Sequence, residues 1–425
     1  MGTNMRRTII DITYLAHWQG RLTGIPRVIE ELVQRYLKSE HVPEFVVWDN
    51  LGKEFYYVDI GLTLQNRGKS LHYVQLHTSR SQVRKATRKG AHVMQKLKDS
   101  YKLPVPGRFI NMAMEAGRAA YKKLEVSSGD ILLIPMGEWH NDHYISTVLE
   151  YKKAGVKLVQ ISYDVLPLVQ PQYSGHSTIT MDRYNRMVMP ECDLILCISE
   201  NTRKDLGAWL KQQQLTIPAM EVFRLGDDFN TTKPMKPAHP VFSGDGGKVP
   251  EFILCVGTVE ARKNHTLLYY TYKLARSRGI SLPPLVVVGR PGWLAGDITE
   301  IIKTDPDTKD SMFVMSDIGD EELSWLYGNA SFSVYPSFYE GWGLPVAESA
   351  VRGLPCACSN TSSIPEIAGD LMTYFSPVST EECLAALQHL MDPASRGVAR
   401  ERLKQYRPVT WTQTYEQIVK FMEGV

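Results

Sequence analysis

The chain has 425 residues, more than a single hydrophobic core usually serves, so two domains are expected. Hydrophobic residues make up 43% of the sequence, which excludes a disordered polymer, and the formal net charge of only +2 gives no support to a nucleic-acid-binding role. The six cysteines form no CxxC pair and have no zinc-ligand spacing, so we expect buried free thiols in a reducing cytosol.

Short apolar runs alternate with amphipathic helical patterns along the first half of the chain. The predicted strands are 7–12, 45–48, 130–135, 157–162 and 194–198, and a helix begins near Pro26, which suits a first helical turn. Asp11 and His17 interrupt the N-terminal apolar run before a signal-peptide core forms, and no run approaches the roughly 20 apolar residues of a membrane span. A cytoplasmic protein is therefore expected.

A basic segment at residues 79–108 departs from this alternation. It carries nine Lys or Arg side chains against the single acid Asp99, and an apolar stripe runs along it at helical spacing. Such a helix would be attracted to anionic lipid on the cytoplasmic face of the inner membrane, at about 1 kcal/mol per basic residue. The alternative is a solvated basic helix whose stripe packs on its own domain.

The second half repeats the α/β alternation after a stretch rich in Pro and Gly. We predict strands at 252–256, 285–288, 313–315 and 331–335, a helix at 264–278, and a C-terminal helix at 409–422. The predicted fold class is α/β, with two doubly wound, Rossmann-like domains that face each other. The predicted units are an N-terminal domain 1–230 with a basic insertion 79–124, a linker 231–250, a second domain 251–407, and a returning helix 408–425.

The most informative segment reads PSFYEGWGLPVAESAVRG, at residues 336–353. A strand is followed by a glycine-rich loop and a helix whose first turn contains Pro345. Gly341 and Gly343 leave backbone N–H groups open to a ligand. Glu340 precedes the loop and Glu348 lies in the helix, so the two carboxylates could contact different hydroxyls of an extended, polyhydroxylated ligand.

A second segment, GTVEARKN at residues 257–264, links a strand to the next helix. Asn264 is a candidate N-cap, and Arg262 and Lys263 approach the helix N-terminus, which itself favours anions. Arginine can bind phosphate through two parallel hydrogen bonds, and lysine adds a point charge. Both segments follow strands, at the edge where open α/β sheets bind ligands.

These motifs resemble those of the retaining glycosyltransferases of GT-B fold, family 4, whose E-x7-E motif is matched by Glu340 and Glu348. The resemblance is dense over residues 251–370, including SSIPEIAGD, and sparser in TGIPRVIEEL, ISYDVLPLVQP and CISENTRKDL of the first half. It implies a soluble hexosyltransferase that uses a nucleotide-diphosphate sugar. The sequence, including EGWGLPVAES, also resembles those of bacterial mannosyltransferases that extend lipid-linked surface polysaccharides.

The resemblance assigns roles to individual residues. Arg262 and Lys263 would neutralise the donor diphosphate, Glu348 would bind the ribose, and Glu340 with the following loop would hold the transferred sugar. Residues 315–323 would hold the nucleobase, Gly24 would let the diphosphate approach, and Tyr163 and Asp164 would face the sugar and the acceptor. The implied catalytic set is Glu340, Asp164, Arg262 and Lys263; the implied donor-binding set is Gly24, Arg262, Lys263, Ile318, Glu340, Gly341, Trp342, Gly343, Leu344 and Glu348.

Two positions depart from the family pattern. Tyr163 stands before Asp164 where many members have histidine, so no imidazole is available there; Trp342 replaces the commoner phenylalanine. The sequence also has no Asp-x-Asp motif at a predicted strand end: the acids at 227–228 are adjacent, and Asp305 and Asp307 lie in a polar loop, so we expect solvated loop acids and no bound metal or other cofactor.

The preferred interpretation is metal-independent transfer with retention, with GDP-mannose as the leading donor and a glycan or polyprenyl-linked oligosaccharide as the acceptor. A UDP-hexose donor is the alternative within the fold. A nucleotide-sugar epimerase, a phosphorolytic enzyme and a non-catalytic GT-B scaffold remain as other classes; acceptor dependence, phosphate dependence and donor binding without turnover would distinguish them. Domain closure is expected, with hinges at 231–250 and 407–412.

Overall fold

The structure is a computed structural model that describes residues 6–20, 22–40, 42–68, 122–174, 177–228, 233–243, 249–292 and 294–425. The predicted basic segment 79–108 and nearly all of the insertion 79–124 lie outside the described residues. Within the described residues, none of the helices has the length and apolar character needed to cross a bilayer.

The first domain contains one sheet and its flanking helices. Its strands are β1 (Thr8–Asp11), β2 (Glu44–Asp49), β3 (Glu54–Tyr57), β4 (Ile131–Ile134), β5 (Lys157–Ser162), β6 (Leu194–Cys197) and β7 (Ala219–Val222). Its helices are α1 (Thr13–His17), α2 (Ile25–Tyr36), α3 (Ile60–Gln65), α4 (Asp142–Lys153), α5 (Leu166–Val169), α6 (Ser177–Met187) and α7 (Glu200–Gln212).

The strand order in this sheet is β3-β2-β1-β4-β5-β6-β7. Neighbouring strands are parallel except β3, which pairs antiparallel with β2. The direction of winding reverses between β1 and β4, and this switch point opens a crevice at the carboxyl ends of the strands. The loops after β1, β4 and β5 therefore meet at one edge.

The second domain repeats the architecture with a sheet that is parallel throughout the described strands. Its strands are β8 (Ile253–Val256), β9 (Leu285–Val288), β10 (Met312–Met315), β11 (Phe332–Tyr335), β12 (Cys356–Ser359) and β13 (Thr373–Phe375). Its helices are α8 (His265–Ser277), α9 (Gly296–Thr304), α10 (Asp320–Asn329), α11 (Leu344–Val351), α12 (Ile364–Ala368), α13 (Thr380–Met391) and α14 (Pro393–Leu403).

The strand order of the second sheet is β10-β9-β8-β11-β12-β13, so its switch point lies between β8 and β11. The two segments that the sequence singled out follow these two strands directly. They are therefore neighbours in space although about 80 residues separate them along the chain.

A last helix, α15 (Trp411–Met422), returns to the first domain. The ring of Tyr415 meets Tyr36 of α2 edge-on, with 4.8 Å between ring centroids. The helix start is fixed by the chain after β7, because the Trp411 amide donates to Asp228 Oδ1 at 2.7 Å and the Asp227 amide donates to the Val409 carbonyl at 2.7 Å.

One sequence expectation is wrong in this region. Asp227 is not a solvated loop acid: it is fully buried, and its carboxylate accepts hydrogen bonds from Arg224 and Tyr406. The stretch predicted as a linker contributes Phe242 to the core of the second domain, where its ring packs 5.3 Å from Phe252 and from Trp325. All six cysteines are buried and free, as expected.

Candidate functional site

A charged cluster lies at the switch point of the second sheet. Arg262 and Lys263 occupy the 3₁₀ turn Ala261–Lys263 after β8, and both side chains meet Glu340, which follows β11. Arg262 Nη1 donates to Glu340 Oε2 at 2.6 Å, and Lys263 Nζ donates to Oε1 at 2.6 Å. The hydroxyl of Tyr335 donates to the same Oε1 at 2.8 Å. The structure therefore brings together three of the four predicted catalytic residues.

Burial and charge have opposite effects on Glu340, which is 5% exposed. Burial raises the pKa of this carboxyl, but the positive charges of Arg262 and Lys263 outweigh burial and lower the pKa to about 2. Glu340 is consequently ionised at neutral pH and cannot act as a proton donor there. Arg262 has a second carboxylate partner, Glu260, at 2.7 Å, so the two cations are balanced by two carboxylates.

Glu348 has its own partners on the other side of the glycine-rich loop. Its Oε2 accepts from the Tyr327 hydroxyl at 2.7 Å, and its Oε1 forms a 3.3 Å ion pair with Arg27 of α2, in the first domain. The two glutamates of the motif are thus held by separate sets of side chains. One set lies within the second domain, and the other reaches across to the first.

The loop between the glutamates touches the first domain at Gly341. A Cβ atom built on Gly341 would lie 2.0 Å from the carbonyl oxygen of Tyr163, so only glycine permits this approach. Trp342 is buried, and the Arg224 guanidinium lies 5.8 Å from its ring centroid. Gly343 then occupies the N-cap position, and Leu344 begins α11.

The predicted first-domain residues lie at the carboxyl edge of their sheet. Gly24 is the N-cap residue of α2 and has φ +56° with ψ −132°, a conformation that L side chains rarely adopt. Tyr163 and Asp164 follow β5, and Asp164 Oδ1 accepts from the Leu166 amide at 3.0 Å. Burial raises the pKa of Asp164, and the positive charge of Arg262 opposes this rise. Asp164 is therefore close enough to Arg262 to sense its charge.

Ile318 is not brought to the charged cluster. It lies after β10, two strands away from β8, and packs on the apolar cluster around Phe252 and Leu326. The turn that follows it is closed by Glu322, whose carboxylate accepts from the Gly319 amide at 2.7 Å. Ile318 and the charged cluster thus mark two separate places along the carboxyl edge of the second sheet.

Asn264 occupies the predicted N-cap position of α8, but its side chain does not cap the helix. The residue adopts the left-handed region, with φ 58° and ψ 39°, and its side chain makes no capping hydrogen bond. Its Nδ2 instead donates to the carbonyls of Pro336 at 3.1 Å and Pro377 at 2.8 Å. Asn264 therefore anchors the loop after β11 rather than the start of α8.

The acids considered as metal ligands have internal partners. Asp305 and Asp307 both accept from Lys273, at 2.8 and 2.9 Å. Among the residues described, no group of three or more His, Cys, Asp or Glu side chains is arranged to hold a metal ion. Metal independence stays a prediction.

Sequence reasoning missed a cavity of about 310 Å³ next to the charged cluster. Arg262 and Glu260 line one side of it, and the loops after β4 and β5, with Trp139, Tyr163 and Asp164, line another. The strand predicted at 130–135 ends just before the loop that carries Trp139. Because ligands bind at the carboxyl ends of such strands, the sequence could have indicated this loop as a ligand-binding loop. Residues of α6 also line the cavity, and no motif in the sequence had marked them.

The chain shares sequence with known proteins over the second domain and beyond. Residues 245–407 match the family described as Glycosyl transferases group 1. The second domain is a glycosyl transferases group 1 domain. Two Escherichia coli relatives are the serotype-specific mannosyltransferase WbdA, 25% identical over 98% of this chain and 46% of its own length, and the O-antigen chain mannosyltransferase B, 33% identical over 40% of this chain and 44% of its own length. This chain spans less than half of either relative.

Solved structures agree with this architecture across the whole chain. Sucrose-phosphate synthase from Thermosynechococcus elongatus has a TM-score of 0.61 at 16% identity and 99% coverage of both chains. The apo form of the lipopolysaccharide outer core galactosyltransferase WaaB has a TM-score of 0.55 at 12% identity, with 98% of this chain and all of that chain covered. The chain has the GT-B fold, with two α/β domains built on mainly parallel sheets.

Proposed function

We propose that the chain is a glycosyltransferase of bacterial surface polysaccharide synthesis that transfers a hexose, with GDP-mannose as the first donor to test. The observation that carries the proposal is the convergence of Arg262, Lys263 and Glu340 at the switch point of a glycosyl transferases group 1 domain. The mannosyltransferase names of the relatives support the choice of sugar. The acceptor is a glycan or lipid-linked glycan, met on the cytoplasmic side of the membrane.

The reaction would proceed with retention and without a metal. The bond between the sugar C1 and the diphosphate oxygen breaks, and a new bond forms from C1 to the acceptor oxygen on the same face. The acceptor proton passes to the departing phosphate oxygen. Arg262 and Lys263 would stabilise the negative charge that develops on the diphosphate, a preorganised electrostatic effect that is often the largest in catalysis.

The geometry refines the expected role of Glu340. Its oxygens already accept from Arg262, Lys263 and Tyr335, so the carboxylate fixes both cations at the position where the diphosphate would bind. Long cationic side chains lose conformational entropy when they bind a ligand. Two side chains that are already fixed in the folded state lose less of it on binding. We therefore assign Glu340 to orienting the cations as well as to the sugar.

Nucleotide binding in EDTA tests the proposal directly. A ligand at 100 times its dissociation constant adds about 2.7 kcal/mol to folding stability, so GDP and GDP-mannose should raise the melting temperature clearly. The product of transfer to a mannoside should keep the α configuration of the donor by NMR. A rise with UDP sugars alone would replace the donor, and an inverted product would overturn retention. No response to any nucleotide would favour a non-catalytic scaffold.

A further inference from the structure

The motif CISENTRKDL, at residues 197–206, lies in the first domain and has no role yet in the proposed reaction. It ends β6 and forms the first turns of α7. The side chain of Ser199 caps this helix by accepting from the Thr202 amide at 3.0 Å. Both residues are fully buried. The start of α7 is therefore fixed to the carboxyl end of β6.

The first turns of α7 contact the second domain at Tyr339, the residue before Glu340. The Tyr339 hydroxyl donates to Asp205 Oδ2 at 2.6 Å and accepts from Asn201 Nδ2 at 3.4 Å. Asn201 Nδ2 also donates to Asp205 Oδ2, at 2.9 Å. Tyr339 is only 6% exposed. A hydrogen bond to a carboxylate is about twice as strong as one between neutral groups, so Asp205 is the stronger of the two partners.

The same tyrosine holds a cation of the charged cluster. Arg262 Nη1 donates to the Tyr339 carbonyl at 3.2 Å as well as to Glu340 Oε2. The Phe338 amide donates in turn to the Arg262 carbonyl at 2.8 Å. The segment 338–340 thus contacts both the backbone and the guanidinium of Arg262. Two hydrogen bonds connect Asp205 of the first domain, through Tyr339, to this guanidinium.

The contacts of this segment with its own domain are different. The Glu340 amide donates to Ser362 Oγ at 2.9 Å, and Ser363 Oγ donates to the Glu340 carbonyl at 2.9 Å. These bonds do not depend on how the two domains are arranged. Within the described part of the chain, the Tyr339 hydroxyl has hydrogen-bond partners in the first domain alone. Separation of the domains would therefore release the side chain of Tyr339 and leave the backbone of Glu340 held.

We propose that Asp205 is a positioning residue, which holds Arg262 in place for the diphosphate through Tyr339 and does so while the domains are closed. The inference rests on the proposed function, because it takes Arg262 to bind the diphosphate. A preorganised cation stabilises developing charge better than a mobile one. The first domain would thus promote departure of the diphosphate without touching it, and the donor would be fully activated in the closed arrangement.

A double-variant cycle tests the inference. Initial rates are measured with GDP-mannose, or with whichever donor stabilises the protein in EDTA, and with methyl α-D-mannopyranoside as the acceptor probe. Asp205→Ala should lower kcat/KM for the donor about tenfold, which corresponds to about 1.4 kcal/mol. In an Arg262→Ala background the same change should lower it less than about twofold, because residues that act as one unit are not additive.

Two further measurements separate positioning from a general loss of stability. Asp205→Asn keeps an oxygen that can accept from the Tyr339 hydroxyl, so it should recover most of the activity that Asp205→Ala loses. The dissociation constant of GDP, measured by calorimetry on the same four proteins, gives the cycle without an acceptor. Asp205→Ala should weaken GDP binding when Arg262 is present and change it less than about twofold in Arg262→Ala.

Tyr272→Phe is the matched control for Tyr339→Phe. The Tyr272 hydroxyl is also a buried donor, but its acceptor is the Pro283 carbonyl of the same domain, at 2.6 Å. Both variants lose one hydrogen bond and should have a lower melting temperature. Only Tyr339→Phe should lower kcat/KM. Adding Asp205→Ala to Tyr339→Phe should cause no further loss, since each removes the same contact.

Two results would overturn the inference. One is a kcat/KM of Asp205→Ala within about twofold of the unmodified value. The other is a tenfold loss that recurs in full in the Arg262→Ala background, since Asp205 would then act independently of Arg262. The proposed function survives either result, because nucleotide stabilisation of the unmodified protein is measured separately. If that stabilisation is absent, the proposed function fails and the inference fails with it.

Discussion

The polar groups at the two switch points of this molecule differ in their hydrogen-bond and ion-pair partners. In the second domain, Arg262, Lys263 and Glu340 satisfy one another before any substrate is present. In the first domain, polar atoms of Tyr163, Ser174 and Asn185 lack hydrogen-bond partners, and the buried carboxylate of Asp11 accepts from the neutral hydroxyls of Thr13 and Tyr144. The charged groups of the second site are already paired with one another, whereas some polar groups of the first site have no partner in the protein.

The carboxyls at the two switch points also differ in their pKa values. Burial raises the pKa of Asp11, the last residue of β1, to about 6. Burial, with the nearby charge of Asp11, raises the pKa of Glu138, in the loop after β4, to about 7. By contrast, the neighbouring cations hold the pKa of Glu340 at about 2, although this carboxyl is buried too. The difference comes from charge pairing, because burial alone acts in the same direction on all three.

The largest expected effect follows from breaking the paired cluster. Glu340→Gln removes the shared partner of Arg262 and Lys263 and leaves the two cations with the single carboxylate of Glu260, and removing one partner of a buried ion pair typically costs about 3–5 kcal/mol. Urea unfolding at pH 7 should report that loss, and transfer activity should disappear. The matched control is Glu381→Gln, which breaks an exposed pair with Arg278 and should leave the unfolding midpoint unchanged. A Glu340→Gln protein as stable as the control would show that the cluster is not a stabilising unit.

The next effect separates charge from geometry within the same cluster. Arg262→Ala should lower kcat/KM for the donor by about 10²-fold, because hydrogen bonds between charged groups contribute about 1.5–3 kcal/mol each. Arg262→Lys keeps the charge but loses the planar fork, and it should recover only part of the activity. Arg278→Ala, at an exposed arginine that is also paired with a carboxylate, is the control. Near-normal turnover by Arg262→Ala at low donor concentration would contradict the phosphate assignment.

Periodic apolar patterns allowed much of the fold to be predicted. Strands β5 and β9 have the predicted bounds, 157–162 and 285–288: β9 reads LVVV, and β5 has the large apolar residues Leu158, Val159 and Ile161. Two of the four strands that were not predicted have weak patterns: β12 reads CACS, with no large apolar residue, and β7 is not buried at any of its four positions. Tertiary context, and not local propensity, makes these segments strands.

The sequence allowed the residues of the charged cluster to be predicted, but not their contacts with one another. Local motifs identified Arg262, Lys263 and Glu340, and the family resemblance assigned the two cations to the diphosphate and Glu340 to the sugar. Their mutual contacts arise because β8 and β11 are adjacent in the sheet, a property of strand order. Ser174 and Asn185 belong to segments with no motif, so only the folded chain shows that they line the same cavity as Arg262.

The buried carboxyl of Asp11 predicts a pH effect on stability. Because the folded-state pKa of Asp11 is raised above its ordinary value of 3.8 to about 6, the folded protein holds this proton more tightly than the unfolded chain. Stability should therefore fall as the pH rises from about 4 through 6, by about 1–3 kcal/mol at about 1.4 kcal/mol per pH unit. Asp11→Asn should flatten that slope in denaturant titrations at successive pH values. An unchanged slope would assign the titration to other groups.

The smallest effect concerns one of the contacts between the two domains. Glu366, in α12 of the second domain, accepts from the backbone amides of Glu200 at 2.8 Å and Asn201 at 2.7 Å, at the start of α7 in the first domain. A carboxylate at a helix N-terminus contributes about 0.3–1 kcal/mol. Glu366→Gln should therefore favour the open arrangement slightly and accelerate donor release by about two- to fivefold in stopped-flow measurements.

The control for this contact is a carboxylate that caps a helix within its own domain. Asp59 accepts from the Leu62 amide at the start of α3, so Asp59→Asn should lower stability by a similar amount without changing donor release. Faster release in both variants would mean that general loosening, and not domain closure, sets the rate. Faster release in Glu366→Gln alone would show that the paired site of the second domain keeps its donor by holding the first domain against it.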